Sequence, residues 1–458
     1  MSQIDRFPVM IAGSHTLTVR AKHAPRISPG KWTLTDIGGA LLVVAALTSP
    51  WNALNIANNR PGVLFLALAA LLISLDTLAT RAPGRSPLWV WLPALAVAIV
   101  VGVHAVIPVD ASYLLGRFEY VTALDVTTIN PWVRAGQWVL AMTVLPAVLA
   151  LAARRRPAWV PRVITAWVIG AAVSALVAIL DFAGITNVSV TLLGFQNGLS
   201  RGAGLSFHPN SLGISCAVAA PAALWIMGGR RWLGLLLLAV TSAGAVFSGS
   251  RAAQAGVIVG ILLVLMFATR SRRVIPWLIG LVAAIVVYVL VLDPSILQQT
   301  SELFRFSSAN AAQSDEGRSD LAAQALLDLQ HSPLHGLGIE YVLLAHNIYL
   351  QLLAAGGLLL FLAVVSYWVM SIRDAWRVRG FESGLTVYLA VSVSVWLLGG
   401  WVSNQLIDPF LYFPVAGIAA AFAVTTSRGT QPPDAPGKAH RRIFERRGAD
   451  ARRQYRSV

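Results

Sequence analysis

Charge is scarce in this chain. Asp, Glu, Lys and Arg together make up 12% of its 458 residues, about half the share found in water-soluble domains, and this excludes a soluble globular protein. Cysteine is scarcer still: Cys216 stands alone, so no intrachain disulfide forms, and its place inside an apolar run reads as a small buried hydrophobe. Lysine occurs only at Lys22, Lys31 and Lys438. Ten-residue segments of alternating polar and apolar character are missing, which excludes a membrane β-barrel. No repeat recurs at a fixed period, and no inverted repeat carries paired broken helices, which weighs against a transporter. The first thirty residues hold no apolar core followed by a small-residue cleavage site, so the first span is expected to serve as its own targeting signal.

What the chain has instead is apolar length. Hydrophobic residues make up 56% of it, and its mean hydropathy is +0.68. Runs of about 17 to 25 apolar residues, each enough for one helical crossing, recur at 33–49, 62–79, 87–107, 135–152, 163–183, 211–228, 232–248, 251–269, 275–292, 347–371, 384–401 and 408–426. The expected fold is an all-α polytopic membrane protein of about twelve spans. Residues 1–32 form an N-terminal tail. The transmembrane domain covers 33–426 and includes a large external loop at 293–343 carrying short helices, and 427–458 form a basic tail expected to be disordered. Of the 35 Lys and Arg residues, all but Arg60, Arg117, Arg134, Arg201, Arg251, Arg305 and Arg318 fall on the side that holds both tails. The positive-inside rule then makes both tails cytoplasmic and the seven arginines external. The net charge of +15 is therefore a topology signal and a contact with inner-leaflet lipid, and no nucleic-acid partner is expected.

The external basic residues are all arginine, whose planar fork binds phosphate oxygens in pairs. An arginine-rich composition accounts for the same bias. Three external segments carry the polar chemistry. In GFQNGLSRGAGLSFHPNSLG, Arg201, His208 and Asn210 lie in a Gly-rich stretch ending at a helix start, where Asn or Ser can cap and an anion is favoured. In SGSR, the short link between two spans holds Arg251 at headgroup depth, where it snorkels to lipid phosphate or grips a lipid-linked one. The third segment runs through the long loop to His346 and Asn347. Ser319–Gln330 reads as a short amphipathic helix with Leu321, Ala322, Ala325, Leu326 and Leu329 on the packed face and Asp320, Gln324 and Asp328 opposite, stopped by Pro333 and Gly336. Asp315 and Glu316 read as a solvated loop. His331 and His335, separated by Pro333, are not aligned for a metal, and Gly336-Leu337-Gly338 is too short a signal for a phosphate loop. His346, at a wet membrane boundary near arginines, suits proton transfer near neutral pH.

In that order, RGAGLSFHPNSLG, SGSR, GRSDLAAQALLDLQHSPLHGLG and AHNIYLQLLAAGG resemble the O-antigen ligase and O-antigen polymerase superfamily. The resemblance covers roughly Arg201 to Leu362 by motif. It departs where Ser319-Asp320 replace an aromatic after the loop arginine and where the link from Gly338 to His346 is short. It implies a GT-C-type membrane glycosyltransferase of the cytoplasmic membrane, acting at the outer face on an undecaprenyl-diphosphate-linked glycan. It further implies that Arg318 and Arg251 contact the diphosphate and that His346 deprotonates the acceptor. Arg201, His208, Asn210 and Asn347 would shape the site. With arginines over the leaving group, neither metal nor cofactor is required. The acceptor, whether lipid core, second lipid-linked repeat, wall polymer or protein hydroxyl, stays open, as does ligase against polymerase. A lipid-glycan flippase is the rival from another class.

Overall fold

The structure, a computed structural model, describes residues 32–56, 59–80, 86–117, 130–193, 201–268, 309–340, 345–403 and 405–429, with isolated positions 276 and 280. Among these the fold is all helix with no named strand. Eight helices are long and apolar enough to cross a membrane: Pro61–Ala79 (α2), Leu88–Val106 (α3), Pro131–Arg155 (α5), Trp159–Phe182 (α6), Pro209–Gly229 (α8), Ile348–Arg377 (α12), Phe381–Val402 (α13) and Pro409–Ser427 (α14). Leu34–Thr48 (α1), Arg231–Phe247 (α9) and Arg251–Phe267 (α10) are shorter apolar helices. Ala111–Leu115 (α4), Val188–Leu193 (α7) and Ala309–His331 (α11) complete the series. These helices fall on every apolar run expected within the described residues. Apart from positions 276 and 280, the run at 275–292 lies outside them, as do 1–31, 293–308 and 430–458.

Composition explains which helices sit at the centre. α8 reads PNSLGISCAVAAPAALWIMGG, and its small side chains allow neighbours to approach closely. A Cβ on Gly213 would lie 2.6 Å from Ser248 Oγ, and one on Gly244 of α9 would lie 2.4 Å from Ala175 Cβ. α8 accordingly packs on α6, α9, α10 and α13, and Cys216 is fully buried within it. The outer helices α2 and α3 keep leucines such as Leu71 and Leu95 exposed, as a lipid-facing surface should. In α5 a π-turn at Leu140–Val144 directly precedes Pro146, whose missing N–H disrupts the regular helical ladder there.

Charged groups collect at the two ends of the bundle. At one end Arg156 meets Asp36 at 3.0 Å, Arg155 pairs with Asp76, and Arg377 reaches Asp374 at 3.2 Å. At the other, Asp181 ends α6 by accepting from Thr186 Oγ and from the backbone N–H groups of Val188 and Ser189. That second end carries the polar segments singled out from the sequence.

Candidate functional site

The site grows from the start of α8. His208 is the N-cap residue, and its Nδ1 accepts from the N–H of Asn210 at 3.0 Å; the expected cap was Asn or Ser. Asn210 is thereby left to accept from Arg201, whose Nη2 lies 2.5 Å from Asn210 Oδ1 and whose Nε donates to the carbonyl of Ser248 at 2.8 Å. Arg201 thus clamps the turn between α9 and α10. Gly249 gives way to it: its φ is +58°, and a Cβ there would stand 3.0 Å from Arg201 Nε. Arg251 opens α10 two residues later, with its side chain exposed.

Residues 202–206 are pressed into the bundle. A Cβ on Gly204 would lie 2.0 Å from the carbonyl oxygen of Ser174, Leu205 N–H donates to Ser174 Oγ, and Ser206 Oγ donates to the carbonyl of Pro50. Arg60 lies over the Phe207 ring at 5.6 Å and pairs with Asp408. One cation therefore ties the α1–α2, α7–α8 and α13–α14 connections together. Gln405, from the last of these, donates to Ser211 Oγ at 3.0 Å.

α11 differs from the expected short helix in two ways. It begins at Ala309, ten residues earlier, so Arg318, Asp315 and Glu316 lie within a helix rather than in a loop. The stretch ANAAQSDE is rich in good helix formers, and the roughly 1 kcal/mol that a mid-helix glycine costs at Gly317 is tolerated. The face is also different. Leu321 and Ala325 are buried as expected, but so are Gln324 at 2% exposure and Asp328 at 0%, while Leu326 and Leu327 are exposed. The reason is a partner from the segment after α4. Arg117 Nη2 meets Asp328 Oδ2 at 2.7 Å, Tyr113 and Gln324 both donate to Asp328 Oδ1 at 2.9 Å, and Tyr113 stacks on His331 with centroids 3.7 Å apart. Burial and the neighbouring Asp328 carboxylate raise the Tyr113 hydroxyl well above its ordinary value.

Beyond α11 the chain forms a strap. α12 is broken at Gly356 and Gly357, the latter with φ +59°. Segment 333–338 fills the break with its own backbone: Leu337 and Gly338 donate to the carbonyls of Ala354 and Ala355, and Leu358 and Leu359 donate to those of Pro333 and Leu334. The glycine pair at 336 and 338 thus serves a helix break. A Cβ on Gly336 would lie 2.4 Å from Gly356 N. His335 packs edge-on against His104 at 5.1 Å.

The strap delivers the chain to His346, which adopts φ +49°, a left-handed conformation that costs a non-glycine residue roughly 1–2 kcal/mol. Asn347 then caps α12, its Oδ1 accepting from Tyr349 and Leu350 N–H. His346 Nδ1 is buried with no hydrogen-bond partner among the described residues. Burial and the charge of Arg318 push the His346 imidazole down to about 4. Burial, Arg201, His346 and Arg318 push His208 down to about 4. The structure therefore brings Arg201, His208, Arg318 and His346 into one electrostatic neighbourhood, with Asn210 on Arg201 and Asn347 beside His346. Arg251 follows the turn that Arg201 holds, at the first position of α10. His331 and His335 face Tyr113 and His104 instead.

Sequence reasoning missed Arg60, Asp408 and Gln351. Gln351 lies in the first turn of α12, is fully buried, and has no partner among the described residues for either end of its amide. A lone amide in an otherwise apolar helix start was the available signal.

These features define a polytopic membrane protein with a cationic, histidine-bearing polar site at one end of its helical bundle. Residues 235–365 match the family model described as O-Antigen ligase, which supports the resemblance to the O-antigen ligase and polymerase superfamily and a function of that general kind. The matched stretch runs from α9 into α12 and includes Arg251, Arg318, His346 and Asn347, whereas Arg201, His208 and Asn210 precede it. No curated protein matches the chain.

Proposed function

We propose that the protein transfers a glycan from an undecaprenyl-diphosphate carrier to an acceptor hydroxyl, with inversion, at the outer face of the cytoplasmic membrane. The observation that carries this reading is the convergence of two neutral, half-buried histidines with arginines drawn from separate stretches of the chain. In the reaction the acceptor oxygen forms a bond to the anomeric carbon, the bond from that carbon to the diphosphate oxygen breaks, and the diphosphate leaves with the electron pair. His346 takes the acceptor proton. Arg318, Arg251 and Arg201 hold the diphosphate and stabilise the charge that gathers on it. Asn347 sets where α12 begins, Asn210 holds the Arg201 fork, and His208 caps the helix that presents Asn210. Acceptor identity decides between ligase and polymerase.

The low value of His346 is part of the mechanism. Beside the charge of Arg318, its imidazole is a weak base that stays deprotonated. A bound diphosphate offsets the arginine charge, so the histidine becomes more basic when donor is present. The test is an assay of purified protein with undecaprenyl-diphosphate glycan and a panel of candidate acceptors, comparing wild type with His346→Ala and Arg318→Ala. Retained turnover in both variants would overturn the assignment. Flipping of the carrier lipid in liposomes without any glycan transfer would favour a flippase.

A further inference from the structure

At the opposite end of the bundle lies a cleft of about 750 Å³ between the start of α3 and the ends of α5, α12 and α14. Arg154, Arg373 and Arg377 line it, with Asp374 as the one acidic residue. Asp374 is 1% exposed and its oxygens are engaged: Oδ2 accepts from Trp89 Nε1 at 2.9 Å, and Oδ1 receives Arg373 Nε at 3.3 Å and Arg377 Nη1 at 3.2 Å. The carboxylate fixes the roots of two guanidinium forks, while the Arg373 and Arg377 side chains stay 50% and 57% exposed. Among the described residues that line it, three arginines stand against one carboxylate in a half-enclosed site.

The remaining wall is mostly apolar, with Ser86, Thr426 and Ser427 as its polar members. Leu88, Met370 and Phe422 line the same cleft, and Leu88 is 88% exposed. A free phosphate would satisfy the arginines and leave this wall against water. A phospholipid would cover both, its headgroup phosphate on the guanidinium forks and its chains along Leu88 and Phe422. Basic clefts between membrane helices favour anionic headgroups for this reason. We propose that this cleft binds an anionic phospholipid, with Arg373 and Arg377 as its phosphate ligands and Arg154 adding charge. The site is separate from the one proposed for glycan transfer and does not depend on it.

The probe is phosphatidylglycerol against phosphatidylcholine, presented to the full-length protein in lipid nanodiscs and read by native mass spectrometry and by thermal unfolding. The wild type is expected to retain phosphatidylglycerol selectively and to unfold at a higher temperature in its presence. Arg373→Gln/Arg377→Gln is expected to weaken retention about 25-fold, at about fivefold per arginine. Arg373→Lys/Arg377→Lys, which keeps both charges and the cover over Asp374, should retain most of the selectivity. Arg162→Gln/Arg230→Gln, an equal charge change in a different cleft, should leave it intact. No selectivity in the wild type would overturn the proposal. So would an equal loss in the Arg162/Arg230 variant, or equal protection by soluble glycerol phosphate.

Discussion

His346 is held in a conformation and a charge state that the isolated residue would not choose. Its φ is +49°, and its value near 4 follows from burial and the charge of Arg318. Two pH effects follow. For stability, His346 and His208 take up protons at about 6.5 in the unfolded chain but resist protonation until about 4 when folded. The unfolded state then binds more protons in that window, so stability is full above it and is lost as pH falls from about 6.5 towards 4. Thermal unfolding of the wild type should drop across that range, and His346→Gln should drop less. For catalysis, the acid limb of kcat/KM reports the free protein and that of kcat the donor complex. The kcat limb is expected at the higher pH, and coincident limbs would refute the coupling of His346 to the diphosphate. Gln351 makes a different case. Its unpartnered buried amide costs about 1–3 kcal/mol, so Gln351→Leu should raise the unfolding temperature. If Gln351 meets the glycan or acceptor, the same change should lower turnover; unchanged turnover would assign the amide no part in the reaction.

The elements differ in how far they can be read from sequence. The apolar runs and the start of α12 at Asn347 were legible because a span has to hide its backbone and its ends have to be capped, and both demands are local. The face of α11 was not. Reading Leu326 as buried and Asp328 as exposed follows helix periodicity, but the structure reverses it because Arg117 and Tyr113, more than 200 residues away in sequence, supply the partners that make a buried Asp328 tolerable. The strap at 333–338 was hidden as well: the glycines at 336 and 338 and those at 356 and 357 have a purpose only once each fills the other's space. Removing one partner of the buried ion pair, as in Asp328→Asn, should cost about 3–5 kcal/mol and speed hydrogen exchange along α11. Arg117→Met/Asp328→Leu should recover much of that loss. Gly357→Ala, with its φ of +59° and a Cβ 2.4 Å from the Leu334 carbonyl carbon, should release the strap and lower activity without altering Arg318 or His346 themselves.

Over the whole molecule, the chain divides its charge between two ends and assigns them different chemistry. One end pairs arginines with aspartates and leaves an arginine-lined cleft. The other also pairs Arg60 and Arg117 with aspartates, and sets Arg201 and Arg318 beside neutral histidines. Positive-inside counting assigns the first end to the cytoplasm and the second to the outside, and a cysteine placed at Asn310 should be labelled from the external side; labelling from the cytoplasmic side alone would reverse the orientation. The central claim is glycan transfer by Arg318 and His346, and the most direct measurement is single-turnover transfer from undecaprenyl-diphosphate glycan by purified wild type, His346→Ala and Arg318→Ala, each at saturating donor. The predicted result is a loss of about 10²–10⁴-fold in His346→Ala, the range for removing a general base, together with a comparably large loss in Arg318→Ala. Transfer at the wild-type rate in both variants would contradict it.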